Sequence, residues 1–176
     1  ALGEQMYKIP NDFLIKKRNQ KADGAPDSVL IGLRGRKIIW SSEIDKGDQI
    51  DLPKVKGLTG GDTITARGIR AKHQIEFQPT FTTFMLTNRL AHVDSSDDAF
   101  WQRAIVIPFN KSFVTNPTKS YEKPADLNLK KNLQGILPEI VRWVIEGGLL
   151  YQKEGLDKLP DAIKKATREY REGEDR

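Results

Sequence analysis

Apolar positions fall in short runs through the first two-thirds of this chain and at helical spacing in the last third, and the two patterns predict different elements. Arg36–Glu43, with Ile38, Ile39 and Trp40 at its centre, is entered from basic residues and left through polar ones, as expected of a buried strand. Thr80–Thr87, carrying Phe81, Phe84, Met85 and Leu86, predicts a second buried strand, and Ala104–Phe109 a third. Asp62–Arg67 alternates polar and β-branched residues. The alternation resumes at Gln74–Gln78 after Gly68 and a basic turn, which is the pattern of a hairpin. Gln49–Gly57 predicts a helix with Asp51 near its start and Pro53 in its first turn. Asn128–Tyr151 places Leu129, Leu133, Leu137, Val141 and Val144 at helical spacing, and Pro138 divides the stretch into two helices. Trp143 at that spacing is expected in the core. Asp161–Tyr170 predicts a final helix. Near the N-terminus, Phe13–Ile15 reads as a short helix or strand, Lys21–Ser28 as a mobile polar loop, and Val29–Gly32 as a helix end or a brief strand.

Strands separated by helices, each ending at a polar residue, predict an α/β fold with a mainly parallel sheet, an inserted β-hairpin and a C-terminal helical segment. In such sheets ligands gather at the carboxyl ends of the strands. Glu43 ends the first predicted strand, Asn88 ends the second, and Arg103 enters the third.

Composition narrows the class. The 176 residues suffice for one domain with a proper core and a small appendage; 38% are hydrophobic and 30% charged, as in a folded, well-solvated protein. No apolar run approaches the ~20 residues that a membrane-spanning helix needs. There is no cysteine, hence no disulfide framework and no thiolate metal site, which fits a reducing cytoplasm. The chain opens on Ala1 without a methionine, so an excerpt or a processed product is expected. A net charge of +5 tilts toward a polyanionic partner. The cations cluster at Arg34, Arg36 and Lys37, at Arg67, Arg70, Lys72 and His73, and at Lys164, Lys165 and Arg168.

Each candidate residue has a functional reading and a plain one. Glu43 is suited to holding Mg²⁺ through water or to activating a nucleophilic water, with Asp45 as a helper; it would equally serve as a solvated strand end. Asn88 is suited to donating to a phosphate or a lytic water without adding negative charge, or simply to forming a turn. Arg103 is suited to neutralising charge on a phosphoryl group, or to tethering the chain through Asp97 or Asp98. At the hairpin, Lys72 and Arg70 supply attraction for phosphates and His73 can stack or hydrogen-bond; a solvated surface hairpin has the same composition. Asp94–Asp98 reads as an exposed loop leading into a helix. His73 and His92 are the only histidines and lack metal-ligand spacing, and no G-x-S-x-G nucleophile motif occurs. No phosphate-binding G-x-x-x-x-G-K-[ST] occurs either: Gly60-Gly61 is followed by Asp62, not by a lysine with serine or threonine.

Taken in order, Lys56-Gly57-Leu58-Thr59-Gly60-Gly61-Asp62, Ala66-Arg67, Lys72-His73, Thr87-Asn88 and Phe100-Trp101-Gln102-Arg103-Ala104 form a set that chance seldom assembles. The set resembles the C-terminal half of a superfamily-3, AAA+-type helicase motor, as found in phage and plasmid primase–helicases. The resemblance covers roughly residues 1–172 and is densest between Arg36 and Phe113. It implies a motor core over 1–113, a linker over 114–127 and a helical segment over 128–176. It further implies ATP and Mg²⁺ bound between subunits of a homo-oligomeric, hexameric ring. Glu43 would be the Walker B acid and water-mediated Mg²⁺ ligand, although Ser42 stands where a second acid is usual. Asp45 and Asn88 would lie near the nucleotide, Asn88 as sensor 1, and Arg103 would be an arginine finger acting on a neighbouring subunit. Arg70, Lys72 and His73 would grip single-stranded DNA in the channel. The phosphate loop would lie upstream of Ala1, with a primase domain further upstream and a bacterial cytoplasm as the setting. On this reading residues 1–176 alone neither hydrolyse ATP nor bind it tightly. The alternative is a non-catalytic DNA-binding or oligomerisation module derived from such a motor.

Overall fold

A computed structural model describes residues 3–17, 25–43, 45, 47–156 and 159–175. The basic residue Arg18 and the first part of the expected Lys21–Ser28 loop lie outside these residues. The chain forms two compact units. One is Ile105–Arg168; the other comprises the described residues before Ile105 together with those after Arg168.

The larger unit is built on a three-stranded parallel sheet. β2 (Ile38–Ser42) lies in the middle, between β1 (Met6–Lys8) and β5 (Thr82–Leu86). The register sets Tyr7, Ile39 and Thr83 side by side, and Ser41 beside Met85. With a side-chain period of two, Tyr7, Ile39, Ser41, Thr83 and Met85 share one face. That face carries the core. α1 (Ser28–Leu33) and α2 (Leu52–Thr59) contribute Leu33 and Leu58 to a buried cluster with Ile9, Phe13, Leu14 and Ile39. A second cluster gathers Ile15, Ile50, Ala91, Val93, Phe100 and Trp101, and Met85 packs against both. The opposite face is wet: Met6, Phe84 and Leu86 are 37%, 40% and 55% exposed.

Local chemistry explains the helix starts. The Asp27 carboxylate accepts from the Val29 and Leu30 amides and caps α1. Asp51 caps α2 through the Lys54 amide, and Pro53 sits in the first turn, where its missing N–H costs nothing. Gly32 on α1 serves a different contact. A Cβ there would lie 2.6 Å from Cζ of Tyr7, so any other residue would require the tyrosine ring to move.

A hairpin of β3 (Ile64–Arg67) and β4 (Gln74–Phe77) is inserted between α2 and β5, pairing Ile64 with Phe77 and Ala66 with Ile75. Its root is seated in the first core cluster through Ile64 and Phe77. Beyond β5, the short helix α3 (Asp98–Trp101) is capped by Asp97. In the smaller unit, β6 (Ser112–Val114) and β7 (Glu122–Pro124) form a parallel pair. α4 (Leu129–Gly135) and α5 (Leu137–Glu154) follow, and α6 (Asp161–Gly173) closes the chain. No helix among the described residues is long and apolar enough to cross a membrane.

The fold is therefore α/β with a mainly parallel sheet, an inserted hairpin and C-terminal helices, consistent with a partial AAA+-like core. Four expectations need correction. Ala104–Phe109 is not a strand: residues alternate in exposure as they would in one, but the Val106 amide donates to the Thr167 hydroxyl at 2.9 Å and no ladder forms. Phe13–Ile15 is neither helix nor strand. Pro10 opens a turn closed by Phe13 N–H, and Ile15 makes one isolated bridge to Ile50. β5 was expected to be buried, yet every second residue faces solvent because only one face of the sheet is covered. Trp143 is 74% exposed, since α5 buries none of its residues.

Candidate functional site

β2 and β5 run parallel as neighbours, so their carboxyl ends open at one edge. Ser42 is level with Leu86, and the Glu43 amide donates to the Leu86 carbonyl at 3.0 Å, extending the ladder by one bond. Glu43 thus lies beside Thr87, and Asn88 is the next residue along. Both Glu43 and Asn88 are exposed.

Two local devices display these side chains. The Thr87 hydroxyl accepts from the Arg89 amide at 3.0 Å and also bonds the Arg89 carbonyl, which folds the chain tightly and turns Asn88 outward at the strand tip. Glu43 has φ of 60°, in the left-handed region that a residue with a long side chain rarely adopts. A strand end chosen for stability alone would place glycine or asparagine there. Asp45 lies two residues further on, exposed, in a turn closed by its own amide donating to the Asp48 carboxylate at 2.9 Å.

Arg103 is not on a strand. It follows α3 in a turn, with its amide donating to Phe100 at 2.8 Å and its guanidinium to the Ala99 carbonyl. Its expected tethers are taken by other cations. Lys56 bonds Asp97 at 2.8 Å, and Arg171 bonds Asp98. The Asp97 carboxyl is held below the ordinary aspartate range, first by the hydrogen bond from Lys56, then by the Phe100 amide, with the charges of Lys56 and Arg103 adding to the effect. The structure therefore brings an acid and an amide together at one rim and places the guanidinium at the end of a separate helix.

At the hairpin tip, Arg70, Lys72 and His73 are all exposed. The Ala71 amide donates to the Gly68 carbonyl at 3.1 Å, closing a turn whose third residue, Arg70, has φ of 62°. Among the described residues Glu43 and Arg70 are the two non-glycine positions with positive φ. Backbone strain of this kind concentrates where a side chain must point somewhere specific. Sequence reasoning gave no sign of it. Arg36, by contrast, is structural: its guanidinium bonds the carbonyls of Gly32 and Glu4 and covers the Tyr7 ring.

Among the described residues no group of three or more histidines and carboxylates could hold a metal ion. A metal at the rim would rest on the single carboxylate of Glu43 with water completing its shell, which is the ordinary manner for Mg²⁺. The donor set fits that role.

No family model matches the chain. It is 31% identical, over 97% of its length, to a protein named "Putative helicase L207/L206" of Acanthamoeba polyphaga mimivirus. It is 26% identical, over 99% of its length, to "Putative helicase 022R" of Frog virus 3 (isolate Goorha). It is 27% identical, over 72% of its length, to "Putative primase C962R" of African swine fever virus (isolate Warthog/Namibia/Wart80/1980). The chain spans only 18%, 19% and 13% of those proteins respectively. None of these sources is a phage, a plasmid or a bacterium, so the expectation of a bacterial setting finds no support in them. The chain is thus a homologue, across nearly all its residues, of proteins that carry helicase names in large DNA viruses, and across 72% of its length of one that carries a primase name.

Proposed function

We propose that these residues are the water-activating and strand-gripping part of an ATP-driven replication helicase that moves along single-stranded DNA as a ring. The observation that carries this reading is the convergence of Glu43 and Asn88 at the shared carboxyl edge of neighbouring parallel strands. That edge is where α/β sheets bind ligands. The names of the relatives support the same direction.

Mg²⁺ and ATP, when bound, would supply the electrophilic phosphoryl group and neutralise its charge. Glu43 would hold the metal's water shell and accept a proton from the attacking water. Asn88 would orient that water with a neutral amide, adding no repulsive charge. Asp45 would bias the same rim toward cations. Arg103 would act on the nucleotide of a neighbouring subunit once its guanidinium left Ala99, which would make turnover depend on assembly. Arg70, Lys72 and His73 would hold the DNA backbone. The chain carries no phosphate loop of its own, so that half of the site would come from outside these residues.

One observation favours the second reading, a non-catalytic DNA-binding or oligomerisation module. Arg103 is engaged with its own helix through Ala99.

The test is ATP turnover by a longer polypeptide that carries this chain together with a phosphate loop. Mixed in increasing proportion into active subunits, Arg103→Ala subunits should suppress turnover more than in proportion to their share. Simple dilution of activity would overturn the trans-acting role. Full activity of a Glu43→Gln variant would overturn the motor reading itself.

A further inference from the structure

Among the described large apolar side chains of the unit that holds the three-stranded sheet, Ile69 is the most exposed, at 69%, and it stands at the tip of the hairpin. It occupies the second position of the Gly68–Ala71 turn, and Arg70 occupies the third with φ of 62°. Neither is the usual choice. A turn with positive φ at its third residue ordinarily takes glycine or asparagine there, and proline is common at the second. Here a β-branched aliphatic is held in water and a long cation is held in the left-handed region. Neither side chain packs on the protein core, so the fold gains nothing from either. The root of the hairpin shows the contrast: Ile64, Ala66, Ile75 and Phe77 point inward and are covered or half-covered.

We infer that Ile69 is a base-contacting residue: it lies against the face of an unpaired base while Arg70 and Lys72 hold the flanking phosphates. An apolar body one residue from a cation matches the two surfaces that a nucleotide offers within a few ångströms. Cations alone read the backbone and would not distinguish single strands from duplex. An apolar group slipped between bases works best where they are already unpaired, because no pairing has to be broken. This rests on the nucleic-acid reading above and extends it, giving the tip a preference for single strands through the bases themselves.

The experiment uses the 176-residue chain and fluorescence anisotropy with a labelled thymidine 20-mer, the same length of abasic sugar–phosphate strand, and a 20-base-pair duplex. Ile69→Ser should weaken binding to the thymidine strand about fivefold or more, the low end of a base-stacking contact, and leave the abasic strand unchanged. Ile69→Phe should restore or strengthen thymidine binding. Lys72→Ala should weaken both strands alike. Equal loss on both strands with Ile69→Ser, or no loss on either, would overturn the base contact while leaving the nucleic-acid reading intact. No binding of any strand by the unaltered chain would remove both, and would point to a protein partner for the tip. Melting temperatures of the variants, expected to be unchanged for so exposed a position, show that the fold is retained.

Discussion

Glu43 and Asn88, separated by 44 intervening residues, end adjacent parallel strands, and the amide of Glu43 is bonded to the carbonyl two residues before Asn88. Their juxtaposition is thus fixed by backbone pairing and does not depend on side-chain packing. Substitutions at either position should leave the fold intact and act on chemistry alone.

In a longer polypeptide that turns over ATP, Glu43→Gln should lower kcat by about 10²–10⁴, the usual contribution of a positioned general base. Asn88→Ala should lower it by about 10²–10³, as for loss of a preorganised donor. Single-strand binding by the hairpin should be unaffected in both. Steady-state ATPase and anisotropy on the same preparations check this.

Lys72→Ala should weaken single-strand binding in a salt-dependent way. One phosphate contact fewer reduces the slope of log affinity against log salt by about 0.7. Titrations across a range of salt concentrations read that slope directly. An unchanged slope would mean that Lys72 does not touch phosphate.

Gly32→Ala sets two effects against each other. Alanine in place of glycine in a helix interior gains roughly 0.8–1 kcal/mol, and less at Gly32, the penultimate residue of α1, whereas forcing a methyl into a packed contact costs typically 1–3 kcal/mol. The Tyr7 ring stands 2.6 Å from the new Cβ, so the clash should win and the melting temperature should fall. Pairing the change with Tyr7→Leu should recover much of the loss.

The lowered Asp97 carboxyl makes a pH prediction. Its folded-state value lies below the unfolded one, so its stabilisation is complete above the unfolded value and is lost as pH falls through the folded one. Asp97→Asn should therefore melt below the unaltered chain at pH 7, and the gap should close below about pH 4, under the ordinary aspartate range. A gap that stayed constant with pH would show that the cap, not the charge, matters at Asp97.

Tyr170 offers a stability test away from any proposed chemistry. Its ring meets Trp101 edge-on at 5.1 Å between centroids, and its hydroxyl donates to the Ala91 carbonyl. Burial, with the charge of Glu174 adding, raises its pKa, so it stays neutral at any working pH. Tyr170→Phe should cost about 1 kcal/mol by removing that hydrogen bond, seen as a lower melting temperature with unchanged DNA affinity.

How much of this was legible beforehand follows from the range of the forces involved. β2, the hairpin, α2 with its Asp51 cap, the break near Pro138 and α6 all rest on local patterns, and the sequence displays such patterns directly. β1 has only three residues, too few to show a period, and exists because β2 offers it an edge. Ala104–Phe109 has a strand's alternation without a strand's neighbour, and alternation cannot report whether a neighbour exists. Trp143 failed for a related reason. Helical spacing marks which residues share a face, while coverage of that face is decided by tertiary packing. At the site, strand ends pointed to Glu43 and Asn88. The left-handed backbone at Glu43 and Arg70, the Lys56–Asp97 pair and the tether of Arg103 to Ala99 depend on contacts and dihedrals that no residue pattern encodes.

The half-dressed sheet has a practical consequence. Parallel sheets are ordinarily covered on both sides, and here Phe84 and Leu86 meet water on β5, whose outer edge pairs with no strand among the described residues, while Met6 meets it on β1 at the other edge. Such a surface invites sticking between copies when the polypeptide is concentrated. Light scattering should therefore rise with concentration, and a lysine at Phe84 should quiet it.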